Sequence, residues 1–139
     1  MEQHDEHDAV AQKMKQDFLD NLAKLTVIGK YALATLGSKT QNGGEVWTAS
    51  SGIYMGGLRF ARVGDEVRYP DGSTSKIASG AGYASVEDGL PHAIVGSTIE
   101  NGDKIISSLQ NDVLIREYAE QRIPGLFDPD FRHASARLV

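Results

Sequence analysis

The residues able to carry acid–base chemistry lie in the middle of the chain. They are His92 and five carboxylates, Asp65, Glu66, Glu87, Asp88 and Glu100. Asp88 and His92 are four residues apart, which brings two side chains together on a helix, but Gly89 and Pro91 between them disfavour a helix. The carboxylates lie close to glycines in predicted turns, where acidic side chains suit solvent and turn geometry. We therefore predict that the chain is not an enzyme, with a hydrolase as the alternative.

The segment Ser79-Gly80-Ala81-Gly82 is a glycine-rich loop of the kind that can surround a phosphate. A nucleotide-binding loop also needs a following Lys-Ser or Lys-Thr pair, and the dinucleotide pattern needs a glycine where Ser85 stands. Neither requirement is met, so we predict no nucleotide cofactor.

Metal binding would have to use histidines and carboxylates, because the chain has no cysteine. His4 and His7 lie in an acidic N-terminal segment, whereas His92 and His133 are isolated. Zinc sites bring three or four ligands together. We predict no metal and no other cofactor, or at most a site that includes His92.

The central stretch repeats itself. Leu58-Arg59-Phe60-Ala61-Arg62-Val63-Gly64-Asp65 aligns with Leu90-Pro91-His92-Ala93-Ile94-Val95-Gly96-Ser97, and Lys76-Ile77-Ala78-Ser79 aligns with Lys104-Ile105-Ile106-Ser107. Such a period indicates stacked or radially repeated units, none of which buries its apolar face alone. We predict three units, over residues 46–66, 76–98 and a truncated third from Lys104.

The segment Arg59-Phe60-Ala61-Arg62-Val63-Gly64-Asp65 resembles the motif of the PAAR family, the Pro-Ala-Ala-Arg repeat proteins that cap the spikes of type VI secretion systems. The second copy keeps the Gly, Pro, Ala, Val and Gly but has Ile94 where the family has Arg. The resemblance implies a small conical domain of short strands with pseudo-three-fold repetition. It also implies a trimeric, VgrG-like spike protein as the partner.

Many PAAR proteins carry zinc near the cone tip, held by histidines and often a cysteine. The chain departs from that pattern because it has no cysteine and no cluster of histidines within the repeat. We also predict that Arg59, Phe60 and Arg62 contact the partner through the base of the cone.

Composition excludes several other classes of protein. The 139 residues carry a net charge of −5, with a pI near 5.3 and no basic cluster, which argues against nucleic-acid binding. No apolar run is long enough to span a membrane. The N-terminal segment is acidic and lacks the order of a secretory signal. We predict a cytoplasmic protein of the producing bacterium, exported with the spike without a cleaved signal peptide.

Residues 8–36 are predicted to form an amphipathic helix. Its apolar residues recur at steps of three and four: Val10, Met14, Phe18, Leu22, Leu25, Ile28, Ala32 and Leu36. Gly29 is a possible break. The apolar stripe either docks on the chain's own core or offers a surface for an effector, a chaperone or a second copy.

The remaining chain divides into a β-repeat domain and a C-terminal part. We predict an N-terminal helical extension over 1–37, a polar linker over 38–44 and a PAAR-like domain over 45–108. Short strand candidates separated by glycine turns fill that domain. Residues 109–139 are predicted as a helix over 112–122, capped by Asp112 and stopped by Pro124, and a tail.

Three functions follow from these features. The first is a spike-tip cap that carries cargo through its terminal extensions. The second is a small β binding or adaptor module for another protein, and the third is an enzyme. We favour the first.

Overall fold

The computed structural model describes residues 2–131, apart from the side chains of residues 2–8, 22 and 23. Helix α1 (Glu2–Ala23) precedes eleven short strands: β1 (Val27–Ala32), β2 (Lys39–Thr40), β3 (Glu45–Val46), β4 (Tyr54–Met55), β5 (Leu58–Arg59), β6 (Glu66–Arg68), β7 (Thr74–Lys76), β8 (Val86–Glu87), β9 (Leu90–Pro91), β10 (Ile105–Ser107) and β11 (Leu114–Tyr118). A 3₁₀ turn, Gly82–Ala84, precedes β8. The prediction of a mainly β fold with an N-terminal helix is confirmed. Within the described residues, no helix is both long and apolar enough to cross a membrane.

Five of the strands form an antiparallel sheet in the order β10-β2-β3-β6-β7. The pairing continues beyond β7 through Ile77 with Ile99, and then through Thr98 with Lys104, which leads into β10. The sheet therefore closes on itself as a small barrel of three hairpins. Closure removes the unpaired edges that an open sheet of such short strands would expose.

A pseudo-three-fold axis passes between three alanines inside this barrel. The N–H of Ala34 donates to the carbonyl of Ala93 (2.8 Å), that of Ala93 to Ala61 (2.9 Å), and that of Ala61 back to Ala34 (3.0 Å). All three residues are fully buried. The cycle brings three backbones close together, and in a close-packed interior such an approach favours a side chain as small as a methyl group.

Each alanine begins the same turn, which ends at Ser38, Asp65 or Ser97. The side-chain oxygen of each of these residues accepts a hydrogen bond from the N–H three positions earlier, at 2.9, 2.7 and 2.9 Å. The predicted pseudo-three-fold repeat is thus confirmed, but the predicted units were wrong. The missing copy is Ala34-Thr35-Leu36-Gly37-Ser38, upstream of the two found in the sequence, and no truncated third unit begins at Lys104.

The core follows the same symmetry. Val46, Ile77 and Ile105 donate their N–H groups to the carbonyls of Ser38, Asp65 and Ser97, at 2.8 to 2.9 Å. These three apolar side chains pack with the three alanines and with Val67 and Ile99 as one buried cluster.

Three two-stranded ribbons lead into the three alanines. These are β4–β5 before Ala61, β8–β9 before Ala93, and β1–β11 before Ala34. The first two are local hairpins, turned by Gly56-Gly57 and Asp88-Gly89 with positive φ angles. The third is built from the two terminal segments of the chain, so strand β11 takes the position that a neighbouring strand occupies in the other ribbons.

This third ribbon corrects both predicted terminal helices. The helix predicted over residues 8–36, like the helical extension over 1–37, ends at Ala23, because Val27–Ala32 pairs with β11. A helix would leave that ladder unmade. In the strand, the ring of Tyr31 lies over Gly29 and would have to shift to admit a side chain there. The helix predicted over 112–122 is wrong for the same reason: Leu114–Tyr118 is a strand, and Asp112 does not begin a helix.

The predicted linker and the segment before the predicted tail are both packed into the fold. Residues 38–44 contain β2 and the turn into β3, which makes them part of the barrel. In the C-terminal segment, Phe127 donates its N–H to the carbonyl of Gly80 and packs edge-on against Tyr31. It lies in a second apolar cluster with Leu33, Phe60 and Ile94. The tail from His133 lies outside the described residues.

Candidate partner surfaces and the buried polar cluster

The three residues predicted to contact a partner lie on the strand that runs through Ala61. Arg59 is exposed and stacks on the Tyr54 ring, with its guanidinium carbon 4.7 Å from the ring centroid and a hydrogen bond to the tyrosine oxygen. Phe60 is 3% exposed and belongs to the second apolar cluster. A contact through the Phe60 side chain therefore does not fit its burial, whereas Arg59 is free to meet a partner.

The Arg62 side chain is mostly buried and makes hydrogen bonds within the protein. Its Nε donates to Ser50 Oγ (2.9 Å) and its NH1 to the carbonyl of Glu87 (3.0 Å), while its side chain is only 14% exposed. These bonds join the unit of Ala61 to the unit of Ala93. Partner binding by Arg62 stays a prediction, and any such contact would compete with these internal bonds.

Asp65 ends the second turn and binds more donors than the serines at the equivalent positions. Its carboxylate accepts from the N–H of Arg62 and from both the N–H and hydroxyl of Ser50, at 2.7 to 3.0 Å. Thr48 Oγ1 adds a further bond at 3.1 Å. The predicted motif residue is thus a structural anchor that fixes the loop after β3.

His92 lies in a buried polar cluster between two repeat units. Its Nε2 is 2.9 Å from Glu87 Oε1, and its Nδ1 is 2.8 Å from Ser85 Oγ. Because a carboxylate only accepts hydrogen bonds, Nε2 carries the proton in this contact. Ser51 Oγ donates to the same Glu87 oxygen at 2.5 Å and lies 3.3 Å from Nε2. The sequence paired His92 with Asp88, but Asp88 is an exposed turn residue.

The Glu87 carboxylate is the centre of this cluster. The hydroxyl of Ser51 and the N–H of Gly52 donate to it, and together with His92 they lower the pKa of Glu87 to about 2, although burial works in the opposite direction. Sequence reasoning missed the role of Glu87 because Ser51 is 36 positions away. The sequence did show that Glu87 directly precedes the Asp88-Gly89 turn, which brings it near His92.

Acid should weaken the fold through Glu87. A carboxylate whose pKa is lowered in the folded state contributes stability above its ordinary pKa, and that stability is lost as the pH falls toward the folded value. We expect Glu87→Gln to be less stable than the parent at pH 7. The difference should shrink as the pH falls from about 5 to about 2, as followed by urea unfolding. Glu100→Gln, in an exposed turn, is the control. A stability difference between Glu87→Gln and the parent that does not change with pH would contradict this role.

The zinc that the family resemblance implies does not fit this cluster. Both ring nitrogens of His92 already have hydrogen-bond partners, and the Glu87 oxygens hold three donors between them. Among the side chains that the structure describes, no three His, Asp or Glu residues are grouped to hold a metal ion. The side chains of His4 and His7 are not among those described, and His133 lies outside. The absence of a cofactor stays a prediction.

The glycine-rich loop is occupied by the protein's own backbone. A Cβ at Gly80 would meet the carbonyl of His92, and one at Gly82 would meet the carbonyl of Pro124. Gly82 also has a positive φ of 58°, which favours glycine. These glycines permit close packing of backbone on backbone, so the loop has no space for a phosphate group.

The exposed apolar residues in the described part of the chain include a stripe on α1 and a groove on the barrel. The stripe of α1 presents Val10, Met14 and Phe18, which are 59 to 68% exposed, so these residues do not dock on the chain's own core. On the barrel, Leu36 and Trp47 line an open groove of about 400 Å³, and Arg68 stacks over the indole at 4.6 Å. Exposed aromatic and aliphatic residues of this kind are suited to protein contacts.

The fold is a small β-repeat domain and not a two-sheet sandwich. Its three short hairpins close into a barrel, and the three alanines form a cycle of hydrogen bonds inside it. A family model described as the PAAR motif matches residues 36–107, just over half of the chain. The chain therefore belongs to the PAAR motif family. The match begins within the first copy of the alanine turn and ends with β10, so it spans the barrel. No curated protein matches the chain.

Proposed function

We propose that the protein is a structural cap on the tip of a trimeric, VgrG-like spike in a contractile injection system of the type VI class. The observation that carries the proposal is the cycle of hydrogen bonds among Ala34, Ala61 and Ala93, which gives a single chain an approximate three-fold axis. One chain with this symmetry presents a similar surface to each of three identical subunits. Membership of the PAAR family supports the same function.

The proposed function is not enzymatic. The Ser51 hydroxyl donates to Glu87 while accepting from the N–H of Ile53, so its proton is not directed at His92. The cluster of Glu87 and His92 is then a connection between repeat units. We propose further that the protein leaves the cytoplasm of the producing bacterium together with the spike, without a cleaved signal peptide.

Helix α1 is the proposed attachment surface for an effector or a chaperone. Its exposed stripe of Val10, Met14 and Phe18 has the i, i+4, i+8 spacing that fits a hydrophobic groove on a partner. The helix precedes β1 and belongs to none of the three hairpins of the barrel. Cargo could therefore bind to α1 while the barrel meets the spike.

The exposed stripe and the Trp47 groove also favour the second candidate, an adaptor that binds another protein and not a spike. The deciding measurement is the mass in solution of the protein mixed with the trimeric spike protein encoded in the same genome. We expect one copy per trimer. A protein that remains free at micromolar concentrations of both components would refute the cap.

The same experiment tests the predicted contact at Arg59. Because Arg59 is exposed and Phe60 is not, Arg59→Glu should weaken the complex by about tenfold or more, through reversal of a charge at the interface. Lys76→Glu, which makes the same charge change at an exposed position on β7, should have a smaller effect. Equal affinities for the two variants would remove Arg59 from the interface without affecting the one-to-three stoichiometry.

A further inference from the structure

The three hairpin turns of the barrel meet at a single buried carboxylate, that of Asp103. This residue lies in the third turn and is 1% exposed. Its Oδ1 accepts from the N–H of Asn42 in the first turn (3.1 Å), and its Oδ2 accepts from the hydroxyl of Tyr69 in the second (2.7 Å). The N–H of Lys104 also donates to Oδ1, at 2.8 Å. One side chain therefore contacts all three repeat units.

Asn101 reinforces the contact between the second and third turns. Its Oδ1 accepts from the N–H of Asp103 (3.0 Å), and its Nδ2 donates to the hydroxyl of Tyr69 (3.0 Å). The tyrosine hydroxyl thus donates to Asp103 and accepts from Asn101. The backbone N–H groups, the hydroxyl, the amide and the carboxylate of this network each donate or accept in a defined direction, which fixes the relative positions of the turns.

The charge on Asp103 is supported by its surroundings. Burial works to raise its pKa, but hydrogen bonds from Thr40 and Tyr69 and from the N–H groups of Lys104 and Asn42 outweigh burial and hold the pKa below its ordinary value. Tyr69 is the titratable side chain in direct contact, and its pKa is raised, chiefly by burial. Asp103 is therefore ionised and the tyrosine protonated at neutral pH, as the hydrogen bonds require.

Metal binding does not fit this network. Both Asp103 oxygens already accept from protein donors, and the Asn101 oxygen accepts from a backbone N–H. A cation would have to displace these donors and leave them without partners in a buried site. The family resemblance implies a zinc ion, whereas the donors around Asp103 are arranged for an anion.

We propose that Asp103 holds the three turns of the barrel together, so that this end of the pseudo-three-fold axis is closed by a carboxylate and its donors and not by a metal ion. This inference concerns how the barrel is held together and does not depend on the proposed binding to a spike. Sequence alone does not reveal this role, because Asp103 is 34 residues from Tyr69 and 61 residues from Asn42.

The first test is the thermal stability of Asp103→Asn. The amide is nearly isosteric, but one of its two oxygens becomes a donor that faces other donors. We expect the melting temperature to fall by roughly 5 °C or more. Asp71→Asn is the matched control, because Asp71 is exposed and accepts only from Ser73 within its own turn. An unchanged melting temperature for Asp103→Asn would overturn the proposal.

Hydrogen exchange separates a connection among three turns from a local role. In Asp103→Asn, the amides of residues 41–44, 69–73 and 100–104 should all exchange at least about tenfold faster. Faster exchange confined to residues 100–104 would show that Asp103 supports its own turn alone. If Asp103→Asn does not fold, Tyr69→Phe takes its place, with faster exchange expected in the second and third turns.

Elemental analysis and chelation complete the test. The purified protein should contain no stoichiometric zinc, and EDTA should leave the melting temperature unchanged. Stoichiometric zinc that is lost in Asp103→Asn would overturn the proposal, because the carboxylate would then be a ligand.

Discussion

Replacing Ala61 with leucine should prevent the protein from folding at 37 °C. Ala61 is fully buried and takes part in the cycle of hydrogen bonds with Ala34 and Ala93. Three extra carbon atoms at the axis would push the three backbone segments apart and break the hydrogen bonds between them. Overpacking alone costs about 1–3 kcal/mol, and loss of these buried hydrogen bonds adds to that cost. Circular dichroism and the soluble yield measure the outcome.

Ala119→Leu is the control for this variant, since Ala119 is exposed just beyond β11 and the same enlargement meets solvent there. We expect its stability to stay within about 0.5 kcal/mol of the parent. A folded Ala61→Leu variant with parental stability would show that the barrel can expand around its axis, and would contradict the close approach of the three backbones.

Ile105→Ala should lower the free energy of unfolding by about 2–5 kcal/mol, because Ile105 is fully buried and its truncation leaves a cavity. Ile105 is one of three equivalent core residues, with Val46 and Ile77, and it belongs to the same buried cluster as the three alanines. The free energy of unfolding of Ile105→Ala in urea gives the measurement.

The neighbouring residue supplies a matched comparison. Ile106 carries an identical side chain on the same strand but is 50% exposed, and it points away from the core. Ile106→Ala should change the free energy of unfolding by less than about 1 kcal/mol. If both variants lost the same free energy of unfolding, the register in which β10 pairs with β2 would have to be different.

The class of fold could be predicted because the repeat is visible in the sequence. Two copies of the Ala-x-Val-Gly turn are 32 positions apart, and the small residues recur where backbones converge. The first copy was hidden because Ala32 and Leu36 also continue the apolar spacing of α1. A helix and a half-buried strand are hard to separate by periodicity over such a short segment.

The terminal elements were unpredictable for a different reason. Residues 112–122 have a capping aspartate and helical spacing, but the ladder of β11 with β1 supplies backbone partners from more than eighty positions away. Pairing across the whole chain overrode local preference. The roles of Glu87 and Asp103 were equally hidden, since Ser51 donates to Glu87 and Asn42 to Asp103 from another repeat unit, and no spacing along the chain reveals these contacts.

The pairing of β1 with β11 sets the order in which the protein can form. The hairpins β2–β3, β6–β7, β4–β5 and β8–β9 each join residues close in sequence, so they can form while the chain is still being made. The last ribbon joins Val27 to Tyr118, and its loop-closure entropy must be overcome after all of residues 27–118 are present. Until residue 118 has left the ribosome, the first repeat unit therefore lacks one of the strands of its ribbon.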